Sequence, residues 1–217
     1  MSSHLLPPNP AGAGGADREN VSGSRPSDGR QSVARAESEL EALIRERVAN
    51  VFSTRQLACA EAVLSVLNRG FGGALPDALA VRLASGFSEG LGRSGCLCGA
   101  LSGAVMALGL FLGRDGPGIG GGRLVKEAVA GLRREFRSVY KSTCCRILTR
   151  DQVDGSRAHR RHCAQISGET ARMATRIMLA SRPALIAQVD LDYLSRRDSA
   201  TGAGLKILVG TLRRNGH

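Results

Sequence analysis

Nineteen consecutive residues without a charge, GCLCGALSGAVMALGLFLG at 95–113, constrain this chain more than any other feature. A segment this apolar must leave water, either for a bilayer or for the middle of a protein. It is poor material for a bilayer. Five glycines, a serine and two cysteines interrupt it, and Arg93 and Arg114 flank it on both sides, which leaves no charge asymmetry to orient a span. Gly95, Gly99 and Gly103 recur at every fourth position, with Ala100 and Ala104 alongside. That spacing puts minimal side chains on one helical face, where a second backbone can come close. The reading is a buried central helix beginning near Ser94, with a membrane span as the alternative.

The surrounding pattern supplies the partners such a helix needs. From Glu37, ESELEALIRERVANVF places Leu40, Leu43, Ile44 and Val48 at helical spacing. Ser53 or Thr54 can cap a second helix, with Leu57, Ala60, Val63, Leu64 and Leu67 on its apolar side and Gly70 at its stop. Pro76 opens a third helix, RLVKEAVAGLRREFRSVYKS forms another, and a long one surrounds HRRHCAQISGETARMATRIMLA up to the break at Arg182-Pro183. Alternating strand patterns are nearly absent. The expected fold is all-α: a single-domain bundle of about six or seven helices around the Gly/Ala-rich one, over residues 35–217. Residues 1–34, rich in Pro, Gly, Ser and Ala without apolar periodicity, read as a disordered tail.

Aromatic residues make up 3% of the chain and Trp is absent, which argues against base stacking on aromatic platforms. The formal charge is +11, and 27 of the 30 basic residues are arginine, scattered along the sequence. Such a field attracts nucleic acid, anionic lipid or acidic proteins without specifying one. A basic adaptor or nucleic-acid-binding module with merely packed cysteines is therefore one reading of the function. A small membrane-associated protein inserted through 95–113 is another. The opening residues lack a secretory signal, so a reducing, cytoplasmic setting is expected.

Six cysteines then suggest metal or redox chemistry more than static cross-links. Cys96 and Cys98 lie at the expected start of the central helix, where unpaired N–H groups and the helix dipole favour a thiolate. Two residues apart on a helix, they point in different directions, so one is the working residue. Cys144 and Cys145 pose the same choice. The spacings form neither a CxxC…CxxC zinc pattern nor a thioredoxin-type CxxC.

The series CAEAVL at Cys59, ASGFSEGLGRSGCLCGALSGAVMALGLFLG, TCCRILTRD and HCAQISGETA resembles the redox-active C_GCAxxG_C_C family, over about residues 53–180. Carried over position by position, the pattern falls on Cys59, on Cys98, Gly99, Ala100 and Gly103, on Cys145 and on Cys163. Cys96 and Cys144 are additions to it. The resemblance implies a helical protein whose Cys59, Cys98, Cys145 and Cys163 are redox-active and gather in one place. These four would be the catalytic residues, and also the ligands of an iron–sulfur cluster or another metal, with Gly99 and Gly103 beside the cofactor. The same four thiols could instead form two dithiol/disulfide couples, without a cofactor. An electron-transfer or thiol-exchange role implies a redox partner protein; self-association is an open option, and no sequence-specific nucleic acid is expected.

The remaining candidates are weaker. His159 and His162 in RAHRRHC read as solvated histidines on a basic face, and Asp151 and Asp154 as loop or cap residues. GPGIGGG at 116–122 lacks the Lys-Ser ending of a phosphate-binding loop and reads as a connection.

Overall fold

Helices account for all the regular secondary structure in the residues that the computed structural model describes, 26–118 and 122–201. The first, α1, spans Pro26–Ser53 and buries Leu40, Ile44, Val48 and Val51 along one side. It begins well before Glu37, so the tail boundary expected at residue 34 falls inside it. Residues 1–25 of that tail, 119–121 of the glycine-rich connection and 202–217 lie outside the described residues.

The second helix, α2, is Cys59–Gly70, and neither Ser53 nor Thr54 caps it. The Thr54 hydroxyl instead donates to the Asn50 carbonyl at 2.9 Å, which closes α1. The α2 start is held by Glu61, whose carboxylate accepts the Ala58 N–H at 2.8 Å. This moves the helix start onto Cys59. Next come α3, Asp77–Ser85, behind Pro76 as expected, and α4, Ser88–Leu91, a single irregular turn.

The uncharged stretch forms α5, Gly99–Leu112, with Cys98 as its N-cap. The helix is shorter than its hydropathy suggested, because 95–98 is used as loop. Its fourteen residues reach about 21 Å, short of the roughly 30 Å of a bilayer core. Among the described residues, no helix is long and apolar enough to cross a membrane. Its place is the interior: it packs against α2 and against two later helices, α6 (Arg123–Tyr140) and α8 (Arg157–Ser181). Between those lies α7, Cys145–Leu148; after α8 the chain runs through a 3-10 turn at Pro183–Gln188 into α9, Leu191–Ser195.

The small residues of α5 do what their spacing requires, with one difference. A Cβ on Gly103 would lie 2.4 Å from the Ala60 carbonyl oxygen, and one on Gly99 would lie 2.4 Å from the Cys59 sulfur. The two helices therefore meet backbone to backbone at the point where α2 begins. Gly95, the third member of the series, lies in the loop at φ 72° and takes no part in this contact. The first turn of α5 is thereby pressed against the first turn of α2, and each of those starts carries a cysteine.

Candidate thiol site

Three of the cysteines sit at helix beginnings. Cys59 is the first residue of α2, Cys98 the N-cap of α5, and Cys145 the first residue of α7. Cys163 is on α8, one turn before Ser167. All four, with Gly99 and Ser167, line a single cavity of about 20 Å³. Cys96 and Cys144 do not line it. Cys96 is exposed in the loop, and the Cys144 thiol donates to the Gly95 carbonyl at 3.1 Å. The choice that spacing left open within each pair is thus made by tertiary structure: Cys98 and Cys145 face inward. Gly103 also lies outside the cavity lining, because its close contact is with the Ala60 backbone.

Backbone hydrogen bonds hold the inner cysteines in register. The Cys98 N–H donates to the Thr143 carbonyl at 2.8 Å, and the Arg146 N–H donates to the Gly95 carbonyl at 3.0 Å. These tie the loop before α5 to the start of α7. The loop itself is unusual: Glu89, Leu91, Arg93 and Leu97 all have φ between 44° and 69°, the left-handed region that costs residues with a side chain. Gly90, at φ 73°, has no such cost, and a Cβ there would lie 2.8 Å from the Cys145 Cβ. The chain is wrapped tightly around the sulfurs. His162, expected as a solvated residue, is half-buried and donates from Nε2 to the Leu148 carbonyl at 2.9 Å, pinning α7 to α8.

Outward, Cys59, Cys145 and Cys163 open onto a cleft of about 650 Å³ that also includes Arg55, Arg93, Arg146 and Arg160. Cys98 is 6% exposed and lies behind them. An incoming molecule therefore meets three sulfurs.

Burial raises the pKa of all four thiols. Cys98 and Cys163 are pushed to about 12, and Cys59 and Cys145 also lie above the ordinary 9. Among charged neighbours, the Cys59 sulfur repels each of the other three most strongly, which makes Cys59 the hub. At Cys59 the backbone N–H groups of Glu89, Ala60 and Cys59 itself oppose the rise. The backbone of Glu89, held at φ 54°, is the largest of these opposing influences.

A pH dependence follows. Folding holds these thiols protonated, so the unfolded chain ionises first. The stability they contribute is complete below pH 9 and declines as pH rises from 9 toward 12. Alkylation of the native protein by iodoacetamide is expected to increase continuously up to pH 9 at Cys59 and Cys145, with Cys98 protected. Equal labelling of all four at pH 7, read by peptide mass spectrometry, would contradict this electrostatic picture.

The cavity also bears on a bound metal. Its volume suits one water-sized species, not a cluster of several iron and sulfur atoms. Ser167 is among the lining residues, and its buried hydroxyl has no hydrogen-bond partner among the described residues. As placed, no three His, Cys, Asp or Glu side chains among the described residues form a group able to hold a metal ion. A lone small species fits here, and a cluster does not. Spacing could have pointed to Ser167, since it lies four residues after Cys163 on the same helical face.

An all-helical domain that presents four thiols around one buried point, three of them at helix starts, defines a cysteine-centred helical protein. The chain belongs to the C_GCAxxG_C_C family, whose description reads "Putative redox-active protein (C_GCAxxG_C_C)" and whose sequence profile matches residues 57–177. That span contains all four inward-facing cysteines. No curated protein and no solved structure shows a significant match to the chain.

Proposed function

We propose that this protein carries out thiol–disulfide exchange, with Cys59 as the attacking thiol and Cys145 as the resolving one. The observation that carries this reading is that both sulfurs line the buried cavity and also the 650 Å³ cleft, where a disulfide can reach them. Cys59 has the N-terminus of the twelve-residue α2 and three N–H groups in favour of its thiolate. Cys98 and Cys163, held near 12, are poorer nucleophiles at neutral pH and serve as the second, slower couple. A reducing cytoplasm would keep the four thiols reduced between turnovers, and an external dithiol protein would restore them.

The reaction balances as two exchanges. Cys59 thiolate attacks one sulfur of a disulfide RSSR and expels RS⁻; Cys145 then attacks the Cys59 sulfur and expels the second RS⁻. The protein dithiol is oxidised, the substrate is reduced, and the two thiol protons leave on two RSH.

One equivalent of a disulfide oxidant added to the reduced protein is expected to yield a Cys59–Cys145 link on peptide mapping. A predominant Cys96–Cys144 link, or four inner thiols that stay free, would defeat the assignment.

A second reading keeps the same four thiolates as ligands of one metal ion, on the ground that they share one ion-sized cavity. As placed, no three of them form such a group, so the sulfurs would have to close around the ion. Cys59, Cys98, Cys145 and Cys163 would hold it, and the ion would supply electron transfer or keep the thiolates ionised. An iron–sulfur cluster requires this pocket to open. Anaerobic purification from iron-fed cells, followed by an absorption spectrum with iron and sulfide assays, separates these readings; a colourless, metal-free protein with reactive thiols supports exchange.

A further inference from the structure

Beside the thiol cleft lies a second cavity, of about 680 Å³, that the redox reading does not use. Four of the residues lining it are arginines: Arg55, Arg157, Arg160 and Arg161. Among the described residues, no carboxylate lines it and none of the four arginines takes part in an ion pair. Asp198, two residues before the lining residue Ala200, is engaged by Arg47 at 2.8 Å. The thiol cleft itself is electrically mixed, because Glu61, Glu89 and Asp154 share it with its arginines. The net cationic field is therefore concentrated next to the sulfurs and not on them.

The two spaces are neighbours that share part of their walls. Arg55 and Arg160 line both. Arg157, Arg160 and Arg161 come from the first two turns of the 25-residue α8, whose N-terminal dipole adds to their field. Each space alone is of the size that takes a small molecule, and together they suit a longer, two-ended one.

We infer that the arginine cavity is an anion subsite, and that the substrate of the thiol centre is a low-molecular-weight disulfide carrying carboxylate or phosphate groups. This rests on the thiol-exchange reading above. The anionic end would lie between Arg157 and Arg161, with Arg55 and Arg160 at the junction, and the disulfide would reach Cys59. Guanidinium forks suit either oxyanion. The bonds made and broken are those of the exchange already written, giving one protein disulfide and two RSH per turnover.

The test compares three probes on pre-reduced full-length protein in single turnover. Oxidised glutathione carries carboxylates, coenzyme A disulfide carries phosphates, and hydroxyethyl disulfide carries no charge. The anionic probes are expected to react at least about tenfold faster than the neutral one at low salt, with the advantage shrinking as ionic strength rises. Whichever of the two is faster identifies the anion. The double variant R157Q/R161Q should bring the anionic-to-neutral ratio close to one, while R133Q/R134Q, which removes equal charge from α6, should preserve it. Binding is read separately by calorimetry on the Cys59→Ser protein, where coenzyme A disulfide should bind at least tenfold more tightly than to the same protein carrying R157Q/R161Q.

Equal rates for all three probes, or a preference lost equally in the α6 variant, would overturn the anion subsite and leave thiol exchange standing. Calorimetric binding that depends on Arg157 and Arg161, without reaction of any probe, would overturn thiol exchange and the disulfide substrate with it. Absence of both reaction and binding would overturn both.

Discussion

Replacing Gly103 by valine is expected to lower stability by about 3 kcal/mol or more, and the melting temperature by roughly 10 °C. The reason is the atom a side chain would meet. A Cβ at 103 would lie 2.4 Å from the Ala60 carbonyl oxygen and 3.1 Å from the Ala60 carbonyl carbon, which are backbone atoms of a buried helix. They cannot rotate aside as a flexible side chain could, so α2 and α5 must separate along their shared first turns. The cysteine cavity lies one turn away, at the Gly99–Cys59 contact of the same two helices, so the surviving folded protein should also show faster alkylation of Cys98. Gly109, on the exposed side of the same helix, gives the opposite sign. Nothing stands within 4 Å of a Cβ there. Gly109→Ala therefore gains helix propensity of about 1 kcal/mol without a steric cost. Melting followed by far-UV circular dichroism tests both. Similar effects at 103 and 109 would mean that glycine is not required for close packing.

The second large effect concerns Cys59. Cys59→Ser should reduce the single-turnover rate with a neutral disulfide at least about a thousandfold, as expected for loss of a nucleophile. A serine hydroxyl is not ionised at neutral pH and cannot form the mixed disulfide. Cys96→Ser should retain the rate of the unmodified protein, since Cys96 is exposed and lies off the cavity. A mixed disulfide trapped on Cys59 in a Cys145→Ser protein would complete the assignment. If Cys96→Ser loses the activity and Cys59→Ser keeps it, the working thiol is in the outer loop, and the inner cluster has a structural role.

These two sites are linked through one structural fact. Gly99 and Gly103 bring the start of α5 onto the start of α2, and Cys59 and Cys98 are found at those starts. Helix beginnings have backbone N–H groups without intrahelical partners. A thiol at such a place can be stabilised as an anion even where burial opposes ionisation. Burial dominates at Cys98 and Cys163, whose pKa values rise to about 12. At Cys59 the N–H groups of Glu89, Ala60 and Cys59 act against it.

Much of this architecture was legible in residue order alone. Apolar spacing located α1, α2, α5, α6 and α8, because burying one face of a helix requires a repeat that any such sequence must display. The uncharged stretch could be read as interior, since its glycines suit close packing better than a bilayer. The four inward cysteines could be carried over from the family pattern, and its profile covers them. Residue order could not place the helix starts. The helix expected from Ser94 begins at Gly99, and the one expected from Ser53 or Thr54 begins at Cys59. Both differences come from bonds to distant or competing groups: Thr143 receives the Cys98 N–H, and Thr54 is used to end α1. Spacing alone does not separate Cys98 from Cys96 or Cys145 from Cys144; the family pattern selects Cys98 and Cys145, and the folded arrangement is what turns those two onto the shared cavity. The arginine cavity is a tertiary product too. Arg55, in the turn between α1 and α2, lies about a hundred residues before α8, and no spacing rule joins residues that meet only in the folded chain.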